Sequence, residues 1–341
     1  MTTSRATAGA MDVAARWLGH VRGRNGGGPP QTLAIAGVLV AMVVTMTFLN
    51  EHFLTQTNLF NVARQVSLIV IVGMGMTFLL TSGGLDISVG AVLAFSGCLA
   101  AGLCVAGWPL FLAFAAASLA GGAIGLLHGW LVVWGGMSPI IVTLGTYFAV
   151  RGLAFLYTDH VQGGTSISLG LPDDFTDIGS GYVGEIPIPV IIAAVAIVVF
   201  WVLFNKSLLG KHTRAVGGNI QAARLSGVRT GRVLFIIYTM TGLLAGFCGV
   251  LLASRLGSGQ PGAGNGFEFD VIIAVLIGGT SLFGGKGTII GTVIGALIIG
   301  VLSNGLTLQG VDSYWQQVIK GSVLVLAVLF DAKVRARRGI V

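Results

Sequence analysis

Ile87–Val150 reads ISVGAVLAFSGCLAAGLCVAGWPLFLAFAAASLAGGAIGLLHGWLVVWGGMSPIIVTLGTYFAV, without one Asp, Glu, Lys or Arg, and His128 is its single histidine. An α-helix needs ~20 apolar residues to cross a bilayer, so this stretch has length for nearly three crossings. The whole chain agrees: of 341 residues, 54% are hydrophobic and 9% charged, and mean hydropathy is +0.91. A soluble domain carries about 25% charged residues. The alternation of a transmembrane β-barrel strand is absent. The expected fold class is an all-α polytopic membrane protein of about ten transmembrane helices. Apolar segments fall near 32–50, 65–81, 88–107, 109–133, 138–157, 187–204, 233–253, 269–282, 288–305 and 316–331. One re-entrant segment would lower the count to eight or nine. The first run lacks a small-x-small cleavage site, so no cleaved signal peptide is expected.

Charge orders these segments. Asn205–Arg232 (NKSLLGKHTRAVGGNIQAARLSGVRTGR) holds six Lys or Arg and no Asp or Glu. Lys and Arg are retained on the cytoplasmic side of a membrane. Ten spans with both termini inside would gather there Arg5, Arg16, Arg22, Arg24, the six of the loop, Lys286, Lys333, Arg335, Arg337 and Arg338, fifteen of the 19 basic residues. The expected organisation is a cytoplasmic tail 1–31, a permease domain 32–331 with its cytoplasmic loop 205–232, and a basic cytoplasmic tail 332–341. The net charge of +7 is thus a topology signal, and nucleic-acid binding is not expected. Cys98, Cys104 and Cys248 lie in apolar segments at no metal or redox spacing and read as packing residues.

Glycines spaced by four, Gly121/Gly125/Gly129, Gly242/Gly246 and Gly291/Gly295, predict close helix packing. A weak echo links Gly84-Leu-Asp-Ile-Ser-Val89 to Gly266-Phe-Glu-Phe-Asp-Val271 and suggests an inverted repeat. In a ten-span topology these two stretches lie on opposite faces.

The chain offers no energy source of its own. Gly279-Thr-Ser-Leu-Phe-Gly-Gly-Lys286-Gly287 fails as a P-loop: no Gly stands six residues before the Lys, and Gly follows it in place of Ser or Thr. Gly257–Gly262 matches G-x-G-x-x-G by letter, but it contains a proline and follows no strand. Ion-coupled carriers bury several ionisable groups; here Asp86 and Arg151 are available, with His128 and Lys320 behind them. Lys320, near a span end, is expected to snorkel to the surface. Asp86 sits in Ser82-Gly-Gly-Leu-Asp-Ile-Ser-Val-Gly90, where two glycines break the helix and Ser88 would cap the next. It is read either as a capping turn or as part of a broken helix on the substrate path. No metal or catalytic constellation is expected, and the chain is not read as an enzyme. A partner supplying ATP hydrolysis would need a cytoplasmic contact. Gly217-Gly-Asn-Ile-Gln-Ala-Ala-Arg-Leu-Ser-Gly227 suits one: Asn219 is an N-cap, Gly227 a stop, and Ile220, Ala223 and Arg224 share a face.

The motifs Thr81–Gly90, Gly217-Gly-Asn219 with Ala222-Ala-Arg-Leu-Ser-Gly227, Ile277–Leu282 with Gly284-Gly-Lys-Gly287, and Asn304-Gly-Leu306 with Val318–Asp331 make the chain resemble the ribose-type sugar permeases of the ATP-binding-cassette importers, over roughly 45–331. Phe267-Glu-Phe-Asp270 stands where that family usually has Tyr-Glu-Leu-Asp, and Trp315 where Tyr is common. The resemblance implies a type II importer architecture and a permease dimer, either a homodimer or with a related permease. It also implies two cytoplasmic ATPase subunits and an extracytoplasmic sugar-binding protein, in a bacterial inner membrane. ATP and Mg would bind the ATPase, with no cofactor on this chain. The coupling segment maps onto Gly217, Gly218, Asn219, Ala222, Ala223, Arg224, Leu225, Ser226 and Gly227. Asp86, Ser88, Thr143 and Asn304 are candidate pathway residues. Phe267, Glu268, Phe269 and Asp270 are candidate contacts to the binding protein on the outer face. The alternatives are an ion-coupled carrier of a small polar solute, or an importer permease for a non-sugar solute such as an amino acid.

Overall fold

The computed structural model describes residues 29–336. The expected tail charges Arg5, Arg16, Arg22, Arg24, Arg337 and Arg338 lie outside the described residues. The chain forms the helices α1 (Pro29–Leu49), α2 (Gln56–Thr81), α3 (Val89–Val105), α4 (Leu110–Val133), α5 (Pro139–Gln162), α6 (Ile188–Lys206), α7 (Leu208–Gly218), α8 (Ile220–Leu225), α9 (Thr230–Leu256), α10 (Phe267–Ile277), α11 (Ile289–Leu308) and α12 (Ser313–Ala336). A small hairpin of β1 (Tyr182–Val183) and β2 (Ile186–Pro187) precedes α6. Among the described residues, seven helices are long and apolar enough to cross a membrane: α1, α2, α4, α5, α6, α9 and α11.

Local chemistry sets the helix ends. Pro139 and Pro189 occupy first turns, where a missing N–H leaves no bond unmade. Gly163 and Gly257 close α5 and α9 at φ of +64° and +60°, a conformation that costs glycine no Cβ clash. The apolar segment expected at 65–81 begins earlier, at Gln56, because its polar first turns are helical too.

The central helix is α2, whose Val72, Met74, Met76 and Phe78 are fully buried. Helices α6, α9, α10 and α11 pack around it. On the far side of α9 lie α4 and α3, with α5 against α3, while α1 leans on α11. The closest seam joins α4 to α9 through the expected glycines. A Cβ on Gly121 would lie 2.6 Å from both Gly242 O and Gly246 Cα. Gly121→Val is therefore expected to force the helices apart, costing about 1–3 kcal/mol and lowering the thermal midpoint in detergent. Gly122→Ala, whose added carbon meets Leu243 no closer than 3.4 Å, should leave the midpoint unchanged.

Two strongly apolar helices are too short for a crossing. The 17-residue α3 and the 11-residue α10 span only about 25 Å and 16 Å at 1.5 Å per residue. Each starts inside the protein, and the two first turns meet there. A Cβ on Gly90 of α3 would overlap Glu268 Oε2 of α10 and lie 2.6 Å from Gly264 O. The echoing stretches Gly84–Val89 and Gly266–Val271 therefore converge in the interior, which corrects the expectation that they lie on opposite faces. That expectation assumed one full crossing per apolar segment. The chain instead breaks at glycine, and Gly83, Gly264 and Gly266 all adopt positive φ.

Candidate pathway and coupling sites

The break before α3 is built on Asp86, 1% exposed. Its Oδ1 accepts bonds from the Ser88 backbone N–H (2.8 Å) and the Ser88 hydroxyl (2.6 Å). Asp86 rather than Ser88 thus supplies the capping side chain, an Asx-type turn with a carboxylate at a helix N-terminus. Its Oδ2 lies 3.4 Å from His128 Nδ1 of α4, which is fully buried. His128 Nε2 is 2.7 Å from Thr146 Oγ1 on α5. The Thr146 hydroxyl also approaches the carbonyls of Val142 and Thr143. On another side, the Tyr238 hydroxyl of α9 donates to Leu85 O at 3.4 Å. A polar chain therefore runs from Asp86 in the break before α3 to His128 on α4 and Thr146 on α5. Asp86 Oδ2, His128 Nδ1 and Glu268 Oε2 have no hydrogen-bond partner within the protein. Such groups are costly to leave unpaired.

Ser88 thus bonds Asp86 directly, Thr143 joins the far end of the chain through its carbonyl alone, and Asn304 lies apart. Asn304 exchanges two amide bonds with Asn58 (3.0 and 2.7 Å), near the start of α2, whereas Asp86 follows its end. About 34 Å of helix separates the two levels. Asn304 ties α11 to α2.

The quartet expected on the outer face is divided. Glu268 and Asp270 are 2% and 9% exposed, while Phe269 is 45% exposed. Burial corrects the surface reading of the two acids, because neighbouring helices enclose α10 nearly all round and Asp270 to Leu276 are all buried. Asp270 pairs with Lys320 of α12 at 2.9 Å, so Lys320 does not snorkel to the surface. Arg151 of α5 donates to Pro261 O and Ala263 O, both at 2.7 Å. It thereby holds the loop that leads down to Glu268.

At the basic end, α8 forms between the expected signals. The Asn219 side chain accepts from Ala222 N–H at 2.9 Å, and Gly227 turns the chain at φ +82°. Ala223 is buried, whereas Ala222, Arg224, Ser226 and Gly227 are exposed and Leu225 is 91% exposed. Ile220, expected to share a face with Ala223, is 43% exposed. One alanine seats this short helix on the protein, and two large apolar side chains are left outward. Just before it, Gly217 packs against the end of α2: an added Cβ would overlap Thr81 O and lie 2.7 Å from Gly285 N. Gly285 N–H donates to Thr81 O at 2.8 Å. Gly218 beside it has open space at its Cβ position. Asp331 of α12 accepts from the Ser281 hydroxyl and Leu282 N–H, fixing the same 279–287 loop. The sequence reading missed this junction, since it rests on carbonyls and close approach. It also set His128 in the background, although a lone ionisable group in a charge-free stretch was a usable signal.

The model of the family described as "Branched-chain amino acid transport system / permease component" matches residues 58–328. The ribose import permease protein RbsC of Bacillus subtilis (strain 168) is 45% identical over 295 residues, covering 86% of this chain and 91% of the relative. RbsC of Escherichia coli (strain K12) is 41% identical, covering 87% and 91%. The D-allose transport system permease protein AlsC of the same strain is 38% identical, covering 88% and 90%. No solved structure matches. The chain therefore belongs to this family of permease components, where its relatives are the ribose-type sugar import permeases.

Proposed function

We propose that this chain forms the translocation pathway of an ATP-binding-cassette importer for a monosaccharide or sugar alcohol, in a bacterial cytoplasmic membrane. Its partners are a second permease copy or a related permease, cytoplasmic ATPase subunits that bind ATP and Mg, an extracytoplasmic sugar-binding protein, and membrane lipid. Both termini lie in the cytoplasm, and 32–331 is the permease unit with its coupling loop at 205–232. The carrying observation is α8, which starts three residues beyond the junction of Gly217 with Thr81, is seated by Ala223 alone and presents Leu225 outward. Movement imposed on α8 by an ATPase reaches the end of α2, and through it the Asp86 break. Relatives named for ribose, allose, arabinose and galactose support a sugar as solute. The polar chain suits one: carboxylates accept from hydroxyls, while His128 and Ser88 add further polar groups. Of the outer quartet, Phe269 has the exposure to meet the binding protein.

Reconstitution in proteoliposomes with the ATPase and the binding protein tests this reading. Uptake of labelled sugar should require internal ATP and both partners, and should ignore proton and sodium gradients. Uptake driven by an ion gradient without ATP would instead establish the ion-coupled carrier.

A further inference from the structure

Beside α8 a cavity of about 400 Å³ opens at the basic end, within the size range of small-molecule sites, roughly 300–1,000 Å³. Leu209, Val233 and Ile236 form its apolar wall, and His212, Arg229 and Arg232 bring cationic or ionisable groups to it. Loop 205–232 contains no acid, and among the described residues no carboxylate pairs with Arg229 or Arg232. The apolar wall is directional. Val233 and Ile236 lie one helical turn apart on α9, the membrane-spanning helix; Val233 is buried at the cavity's inner end and Ile236 is 47% exposed. Cationic groups thus stand at the mouth of an apolar track that continues along a span.

We infer that this cavity binds the headgroup of an anionic phospholipid, with the phosphate held by Arg229 and Arg232 and an acyl chain lying along Val233 and Ile236. Arg presents a planar fork that matches phosphate oxygens, and basic pockets at the cytoplasmic surface attract anionic lipid. A soluble partner would satisfy the charges but could not follow the wall into the bilayer. The bound lipid would brace the turn at Gly227, where α8 passes into α9. The inference rests on the proposed placement of this loop at the membrane surface, and its test uses neither ATP nor sugar, so it stands or falls apart from transport.

The full-length permease is purified from nanodiscs holding equimolar phosphatidylglycerol and phosphatidylcholine, and retained lipid is read by native mass spectrometry. Phosphatidylglycerol should be retained over phosphatidylcholine by at least about tenfold. The double variant Arg229→Gln/Arg232→Gln should abolish that preference, and Arg229→Lys/Arg232→Lys should keep most of it. Lys206→Gln, a cation of the same loop outside the cavity, should change nothing. Independently of any variant, photoactivatable phosphatidylglycerol should crosslink the wild-type chain within residues 233–236. Equal retention of the two lipids, an unchanged preference in the glutamine variant, or crosslinks confined elsewhere would overturn the inference. So would displacement by soluble glycerol phosphate, which would mark a site for a free phosphate ester. Loss of the lipid on adding the ATPase would assign the cavity to that protein interface instead.

Discussion

Leu225→Glu is expected to reduce the ATPase that co-purifies with the permease by tenfold or more, and to lower ATP-driven uptake with it, while membrane insertion stays intact. Leu225 is 91% exposed on α8, so within the permease the substitution disturbs almost nothing. Within an interface the effect is large. Burying a leucine side chain contributes about 1.5–3 kcal/mol, and each 1.4 kcal/mol is about tenfold in affinity. Placing an unpaired carboxylate in that position adds a further desolvation cost. Arg224→Glu, at the neighbouring exposed position, reverses a charge and should weaken docking less. Co-purification and uptake at wild-type levels in both variants would remove α8 from the ATPase contact.

Asp86→Ala should reduce uptake at least tenfold while ATPase assembly is retained. The substitution strips the acceptor from Ser88 N–H and its hydroxyl, and takes the facing carboxylate from His128. A buried polar group left unsatisfied costs about 1–3 kcal/mol, and here the cost falls on the first turn of α3, where that helix meets α10. Asp86→Asn separates two roles, because an amide oxygen can still cap Ser88 but carries no charge. Uptake as low as in the alanine variant assigns the role to the carboxylate charge facing His128 and the solute. Full uptake with asparagine leaves Asp86 as a capping turn, and full uptake with alanine would take it out of transport altogether.

Much of the fold was legible because its signals are local. Each of the ten apolar segments corresponds to a helix, since burial in lipid or protein demands an apolar helix whatever its neighbours. Helix α8 was legible nearly to the residue, because an N-cap at Asn219 and a left-handed glycine at Gly227 act within one turn. The four-residue glycine spacing of α4 and α9 announced close packing and proved to describe one seam between them. Other features needed the third dimension. Lys320 looks like a snorkelling cation from its place near a span end, but the partner that holds it, Asp270, is fifty residues away. Asn304 carries no mark of its tie to Asn58, 246 residues distant. Glu268 and Asp270 precede an apolar run as a surface pair would, and only the packing of α10 against α2, α11 and α12 turns them inward.

By itself the sequence determined that the chain is helical, that it lives in a membrane, and that a short capped helix follows Gly217. Hydropathy and capping act over a few residues and do not depend on what packs nearby. Only the tertiary structure decided that α3 and α10 start inside the protein and meet at Gly90 and Glu268. Only it placed Asp86, His128 and Thr146 in one chain, and set Gly217 against the carbonyl of Thr81. Hydrogen bonds and close approach act over about 3 Å between residues that can be a hundred or more apart in sequence, and that proximity exists only once the helices are packed.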